Sequence, residues 1–113
     1  MGLFRQKDGV GPRQAAELAE RQGALILDVR ERDEWDAGHV PGAAHIPLGE
    51  LAQRFKELPQ GRRIVAACRS GNRSALATES LRRAGLQVDN LEGGMKEWQK
   101  AGLPLEPADG RVA

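Results

Sequence analysis

The chain has 113 residues, of which 40% are apolar and 29% charged, a mixture typical of one compact globular domain. Its 17 basic and 16 acidic side chains give a net charge of +1, so the composition gives no reason to expect nucleic acid or an anionic membrane as a partner. The single cysteine, Cys68, excludes an internal disulfide.

The first half of the chain predicts two helices, one buried strand and one short strand. Residues 12–22 predict a helix that has a proline at its first position and a glycine as its stop. The run "ALILDV" at 24–29 has no polar alternation and indicates a strand covered on both faces. Residues 30–38 predict a short helix, and the turn-rich segment after it holds one short strand near 44–46.

The middle of the chain predicts a helix, a strand and another helix. Apolar residues recur at helical spacing over 48–58, so we expect one amphipathic helix there. "RIVAAC" at 63–68 has the composition of a second buried strand. A helix is expected over 74–84, and the residues that we expect on its core face are Ala77, Leu81 and Ala84.

The end of the chain completes an alternation of strands and helices. A third strand at 87–91 precedes a glycine turn and a short helix at 93–102, and residues 106–113 are expected to form a loose tail. The alternation predicts an α/β fold, with a central parallel sheet and helices on both faces. We expect a single domain over 1–113, with its core at about 10–105. Ligands of such sheets bind beyond the carboxyl ends of the strands, where Cys68 is expected to lie.

The polar segment that starts at Cys68 has the features of an anion site. Gly71 lets the chain curl tightly, so that successive backbone N–H groups point inward. The helix that follows adds the positive end of its dipole. A thiol in this setting is expected to be stabilised as the thiolate. An inert buried cysteine is the structural alternative, and the polar loop favours the reactive interpretation.

Four motifs in this chain together resemble those of the rhodanese homology domain. They lie in "LILDVRERDEWDAGHVPGAAHIPL", "CRSGNRS" and "EGGMKEWQKAGLPLE", and match D-x-R, G-H-I-P-G-A, C-x-x-G-x-R-S and G-G-x-x-x-W-x-x-x-G-x-P in order, from about Leu25 to Pro104. Val40 stands where the family often has Ile, and His45 where it often has Asn. The resemblance implies a rhodanese-like α/β fold and a sulfurtransferase whose loop cysteine carries a sulfane sulfur as a persulfide.

Mapped onto this sequence, the resemblance assigns the catalytic place to Cys68. The residues that would bind the substrate or persulfide are Arg69, Ser70, Gly71, Asn72, Arg73 and Ser74, with Arg69 placed to hold a substrate anion. The implied donor is thiosulfate or a persulfide, and the implied acceptor is cyanide, glutathione, thioredoxin or another thiol. No cofactor, metal, nucleic acid or membrane is implied.

No apolar run approaches the roughly 18 residues of a membrane helix, and the polar N-terminus does not resemble a secretion signal, so we expect a cytoplasmic protein.

Two alternative functions remain open at this point. A sulfur-carrier or persulfide-sensing module that acts only with a protein partner would use the same cysteine. A phosphatase or arsenate reductase would use a similar loop, but cysteine phosphatases have the spacing Cys-x5-Arg. Arg73 lies five residues after Cys68, which gives Cys-x4-Arg. The smaller ring of amides suits one additional sulfur better than a tetrahedral phosphate.

Asp28 and Arg30, which end the first buried strand, are candidate supporting residues. We expect Asp28 to brace the loop by pairing with Arg73 or Arg30, so that Asp28→Ala costs activity more than stability. The alternative is an exposed ion pair worth less than ~1 kcal/mol.

The remaining polar and aromatic residues are interpreted as structural. His39 and His45 have no third ligand at zinc-site spacing, and His39 is expected to hydrogen-bond backbone in its turn. The tryptophans, Trp35 and Trp98, are expected to pack at the core or its edge. The charged run at 31–34 is interpreted as the solvated side of a short helix, and Glu92 is not expected at the site.

Overall fold

A five-stranded, fully parallel sheet forms the centre of the computed structural model, which describes residues 9–113. The strands are β1 (Gly9–Val10), β2 (Leu25–Asp28), β3 (Ala44–His45), β4 (Ile64–Ala67) and β5 (Val88–Leu91). Their order across the sheet is β1-β5-β4-β2-β3, so β4 is the central strand. The first eight residues, where no secretion signal was expected, lie outside the described part of the chain.

Helices cover both faces of the sheet, as the alternating pattern predicted. They are α1 (Pro12–Gln22), α2 (Arg32–Ala37), α3 (Leu51–Arg54), α4 (Asn72–Arg83) and α5 (Gly94–Lys100). Side chains of α1 and α5 pack on one face, and those of α3 and α4 pack on the other. The α/β fold class is therefore confirmed. Within residues 9–113, no helix is both long enough and apolar enough to cross a bilayer.

The alternation of side chains along β4 decides which face receives the cysteine. All four strand residues are fully buried. Val65 and Ala67 belong to the cluster under α1 and α5, whereas Ile64, Ala66 and Cys68 belong to the cluster under α4. Because successive side chains of a strand point to opposite faces, Cys68 continues the Ile64–Ala66 row and faces the start of α4.

Two elements differ from the sequence prediction. The strand β1 was not predicted, because two residues at a sheet edge carry no periodic signal; it pairs with β5. The helix expected over 48–58 is divided into a 3₁₀ turn (Leu48–Glu50), one α-helical turn and a second 3₁₀ turn (Phe55–Glu57). The apolar spacing was correct, since Leu51 and Leu58 are buried, but a segment this short takes its form from packing rather than propensity.

The bounds of α4 also differ from the prediction. This helix begins at Asn72, two residues earlier than expected, because Gly71 provides its N-cap in the left-handed region. Ala77 and Leu81 face the core as predicted, but Ala84 is exposed, since it lies just beyond the last helical residue.

The C-terminal residues are not a loose tail, contrary to expectation. Glu106 and His39 exchange two backbone hydrogen bonds in an antiparallel bridge. The amide of Arg111 donates to the carbonyl of Ala37, and that of Val112 donates to the side chain of Gln99. These bonds follow from proximity between distant segments, so the local composition of 106–113 could not reveal them.

Candidate active site

The Cys68 sulfur lies at the carboxyl end of β4, beneath the first turn of α4. The Cys68 residue is 1% exposed to solvent. The amide of Gly71 donates to Sγ at 3.1 Å, and the amide and hydroxyl of Ser74 both lie 3.3 Å from Sγ. We call residues Cys68 to Ser74 the cysteine loop. Of the inward-pointing amides predicted from its sequence, those of Gly71 and Ser74 bind the sulfur.

Two opposing effects act on the Cys68 thiol. Burial raises the pKa of Cys68, because the charged form loses solvation. Hydrogen bonds from the Ser74 hydroxyl and from the amides of Ser74, Gly71 and Ser70 outweigh burial and lower this pKa below its ordinary value. At a given pH the surroundings therefore give Cys68 a higher thiolate fraction than an ordinary cysteine has, and the thiolate is the nucleophilic form.

The backbone of the cysteine loop is held by two glycines. Gly71 adopts a φ of +106°, which lets the chain turn into α4. Gly94, at the start of α5, approaches so closely that a Cβ there would lie 2.5 Å from the carbonyl oxygens of Cys68 and Arg69. The next two amides, of Met95 and Lys96, donate to those same carbonyls. Because α5 binds the carbonyls on the outside, the amides of the loop remain free to face the sulfur.

Arg73 pairs with Glu34 of α2. Its two terminal nitrogens donate to the two Glu34 carboxylate oxygens at 2.8 and 2.9 Å. The hydrogen bond from Arg73 is the main cause that lowers the pKa of Glu34 to about 2. The prediction that Glu34 lies on a solvated helix face is wrong: its side chain is 16% exposed. The pair ties α2 to the cysteine loop.

Asp28 pairs with Arg30 and not with Arg73. The Arg30 guanidinium donates to both Asp28 carboxylate oxygens, at 2.7 to 3.1 Å, and also to the carbonyl of Gly38. Both side chains are almost completely buried, so the alternative of an exposed pair is wrong. The Arg30 Nη1 atom has no hydrogen-bond partner among the described residues. The pair anchors the end of β2, beside Ala67 of the neighbouring strand.

Arg69, Ser70 and Asn72 form the exposed rim of the cysteine loop. Nε of Arg69 donates to the carbonyl oxygen of Ala113 at 2.8 Å, which brings the C-terminal segment to this rim. The structure thus brings together every predicted residue of the loop. Arg73 is paired with Glu34, and Arg69 lies at the exposed rim.

The histidines and tryptophans have the structural surroundings expected of them. Nδ1 of His39 donates to the backbone carbonyl of Trp35, and Nε2 of His45 donates to the carbonyl of Arg30. Both imidazole rings stack on the Trp35 indole, and Trp98 is buried in the core. Among residues 9–113, no group of three His, Cys, Asp or Glu side chains is placed to hold a metal ion.

Two residues of the site were missed from the sequence. Asn90 of β5 donates from Nδ2 to the Gly71 carbonyl, and its Oδ1 accepts from the Ser74 hydroxyl. Glu34 was assigned to solvent. The available signal for Asn90 was an amide side chain in a strand, where β propensity is low. The available signal for Glu34 was the capping box that it forms with Glu31, which fixes the Glu34 side chain at the start of α2.

These features define an α/β protein with a buried thiol that accepts hydrogen bonds from backbone amides at the carboxyl edge of a parallel sheet. The chain belongs to the rhodanese-like domain family, whose model matches residues 11–101. A rhodanese-related protein from Thermoplasma volcanium has the same fold, with a TM-score of 0.81 and 32% sequence identity over 86% of this chain and 95% of that one.

Similar proteins are of more than one kind. A helix-turn-helix-type transcriptional regulator from Mycobacterium tuberculosis is 45% identical over 80% of this chain and 42% of its own length. A putative sulfur carrier protein from Bacillus subtilis is 43% identical over 65% of this chain and 40% of its own length. A thiosulfate sulfurtransferase from Pseudomonas putida is 31% identical over 91% of this chain and 94% of its own length. The chain therefore spans about two fifths of the first two relatives and nearly all of the third.

Proposed function

We propose that this protein is a thiosulfate sulfurtransferase in which Cys68 is the catalytic nucleophile. The observation that carries the proposal is the convergence of the Gly71 and Ser74 amides on the Cys68 sulfur. These donors stabilise a negative charge on the thiolate, and afterwards on the persulfide, without any metal or cofactor. The similarity to the full length of a thiosulfate sulfurtransferase supports the same activity.

The reaction proceeds in two half-reactions. The Cys68 thiolate attacks the outer sulfur of thiosulfate, a new S–S bond forms, and sulfite leaves with the electron pair of the broken S–S bond. Cyanide, or a thiolate such as that of glutathione or thioredoxin, then attacks the terminal sulfur of the persulfide. The products are thiocyanate or an acceptor persulfide, together with the regenerated Cys68 thiolate. Alternating loading and release predicts ping-pong kinetics.

Arg69 and Arg73 have different roles in this proposal. Arg69 is at the rim and offers a cation to the incoming thiosulfate anion, once its hydrogen bond to Ala113 opens. Arg73 is paired with Glu34 and so links the cysteine loop to α2. An arginine whose two terminal nitrogens already bind a carboxylate is poorly placed to bind a phosphate as well, which favours the sulfur site.

The experiment that tests the proposal is intact mass spectrometry after thiosulfate treatment. We expect the mass to increase by one sulfur atom, the increase to be reversed by cyanide or a thiol, and the Cys68→Ser variant to remain unchanged. Failure of the wild-type protein to gain sulfur would overturn the proposal. Because the only cysteine must stay a free thiol, we also propose that the protein acts in a reducing compartment, the cytoplasm.

A sulfur carrier that serves a protein partner is the second candidate. The similarity to a putative sulfur carrier protein favours it, and the chain has no second cysteine to resolve the persulfide, so the acceptor is external. Steady-state thiocyanate formation separates the candidates. Rapid turnover by the isolated protein supports the enzyme, whereas a stable persulfide with slow turnover supports the carrier.

A further inference from the structure

The Asn90 side chain connects β5 to two parts of the cysteine loop. Its Nδ2 lies 3.1 Å from the carbonyl oxygen of Gly71, and its Oδ1 lies 2.5 Å from the hydroxyl oxygen of Ser74. The Gly71 carbonyl can only accept, so the amide nitrogen must face it. This contact fixes the orientation of the amide and leaves a pure acceptor, Oδ1, facing Ser74.

The Ser74 hydroxyl therefore has two acceptors for one proton. Its oxygen lies 2.5 Å from Asn90 Oδ1 and 3.3 Å from Cys68 Sγ. Two oxygens at 2.5 Å attract each other only when a proton lies between them. While Cys68 is a neutral thiol, the proton of Ser74 therefore points at Asn90 and an oxygen lone pair of Ser74 faces the sulfur; the hydrogen bond from Ser74 to Sγ belongs to the thiolate.

We propose that Asn90 is a positioning residue that competes with the Cys68 sulfur for the single proton of the Ser74 hydroxyl. With this proton on the Asn90 side, Ser74 accepts a hydrogen bond from the thiol S–H and so favours the neutral cysteine. When Cys68 loses its proton to solvent, the hydroxyl turns to donate to the thiolate and gives up its bond to Asn90. Asn90 accordingly restrains thiolate formation, a role that rests on the proposed function only in taking Cys68 as the nucleophile.

The charged groups around the cysteine loop have partners of their own. Arg73, in α4, is paired with Glu34 of α2. Arg69, at the exposed rim of the cysteine loop, donates to the carbonyl of Ala113. The neighbour of Asn90 on β5, Asp89, pairs with arginines away from the sulfur. Asn90 is neutral, so its replacement by a neutral residue leaves these charges in place. A change in the ionisation of Cys68 would then report on the hydroxyl proton.

Titration of the thiolate absorbance in the ultraviolet tests the proposal directly. The chain has one cysteine and no tyrosine, so the signal arises from Cys68 without a tyrosinate background. In Asn90→Ala we expect the thiolate-to-thiol ratio at a fixed pH to rise about fivefold, because ionisation no longer has to break a neutral Ser74–Asn90 hydrogen bond worth about 1 kcal/mol. Asn90→Val, which also lacks an acceptor and suits a strand, replaces it if the alanine variant does not fold.

A double-mutant cycle with Ser74→Ala separates this role from a merely structural one. With no hydroxyl to release, Asn90→Ala should leave the ionisation of Cys68 unchanged in the Ser74→Ala background. An unchanged or lower thiolate ratio with Ser74 present would overturn the proposal, as would an equal increase without it. The titration involves no sulfur donor, so its failure is distinguishable from failure of sulfur uptake by mass.

Discussion

Replacing Glu34 with glutamine tests whether the ion pair to Arg73 holds the cysteine loop against α2. The substitution keeps the shape of the side chain and removes the charge that accepts two hydrogen bonds. The fall in the Glu34 pKa from 4.5 to about 2 corresponds to roughly 3.5 kcal/mol, at about 1.4 kcal/mol per pKa unit, and Arg73 contributes the largest part of it, with a smaller part from the Glu31 amide. Because the Arg73 side chain is 34% exposed, solvent screening reduces the expected loss to about 1–2 kcal/mol.

Urea unfolding followed by tryptophan fluorescence measures this loss as a free energy of unfolding. Since the folded-state pKa of Glu34 is depressed, its stabilising contribution is complete above the unfolded value of 4.5 and disappears as the pH falls through about 2. The difference between wild type and Glu34→Gln should therefore be largest near neutral pH. It should shrink steadily as the solution is acidified below 4.5.

Asp36→Asn provides a matched control on the same helix. Asp36 also pairs with an arginine, Arg32, but both side chains are well exposed, so we expect a change within about 0.5 kcal/mol. An equal loss in the two variants, or a Glu34→Gln loss that does not shrink in acid, would refute the reasoning. Either result would show that the loss of unfolding free energy does not depend on the charge of the Glu34 carboxylate.

Three further substitutions test the supports of the site. Gly94→Ala should lower the free energy of unfolding by several kcal/mol and abolish sulfur uptake, because its Cβ would strike the Cys68 and Arg69 carbonyls at a φ of +64°. Gly102→Ala, at a similar φ in open space, should cost only about 1–2 kcal/mol in the same unfolding assay, and equal losses would contradict the clash. Asp28→Asn should lower the free energy of unfolding, measured with urea, by about 3–5 kcal/mol, because the buried Arg30 guanidinium loses its paired charge. This result would reverse the expectation that activity suffers more than stability, whereas a loss below about 1 kcal/mol would support that expectation. Arg69→Ala should raise the KM for thiosulfate and leave kcat nearly unchanged, whereas a fall in kcat alone would contradict its role in binding the donor.

The sequence was sufficient to predict the features of the site that depend only on neighbouring residues. The strand that leads to Cys68 is a continuous apolar run, and Gly71 marks the turn into α4, so the position of the thiol and the direction of the amides followed from neighbouring residues. The partner of Arg73 was not predictable in this way. Glu34 lies 39 positions earlier on a six-residue helix, and only the packing of that helix decides which of its acidic side chains meets the loop.

Asn90 shows the same limit for a strand. Its amide reaches Gly71 and Ser74 because β5 lies beside β4 in the sheet, and this order of strands is a property of the whole chain. The binding of 106–113 to α2 and α5 was missed for a related reason. Backbone hydrogen bonds between distant segments depend on where the segments meet, and their residue composition carries little information about that.

The contact between Ala113 and Arg69 has a practical consequence for protein engineering. Additional residues after Ala113, whether native or added, would begin beside Arg69 at the exposed rim of the cysteine loop. A bulky purification handle fused there would shield Arg69 from small anions and depress apparent turnover. A flexible tether carrying an acceptor cysteine, attached at the same point, would instead hold that cysteine near Cys68 at a high effective concentration and could turn the protein into a self-unloading sulfur relay.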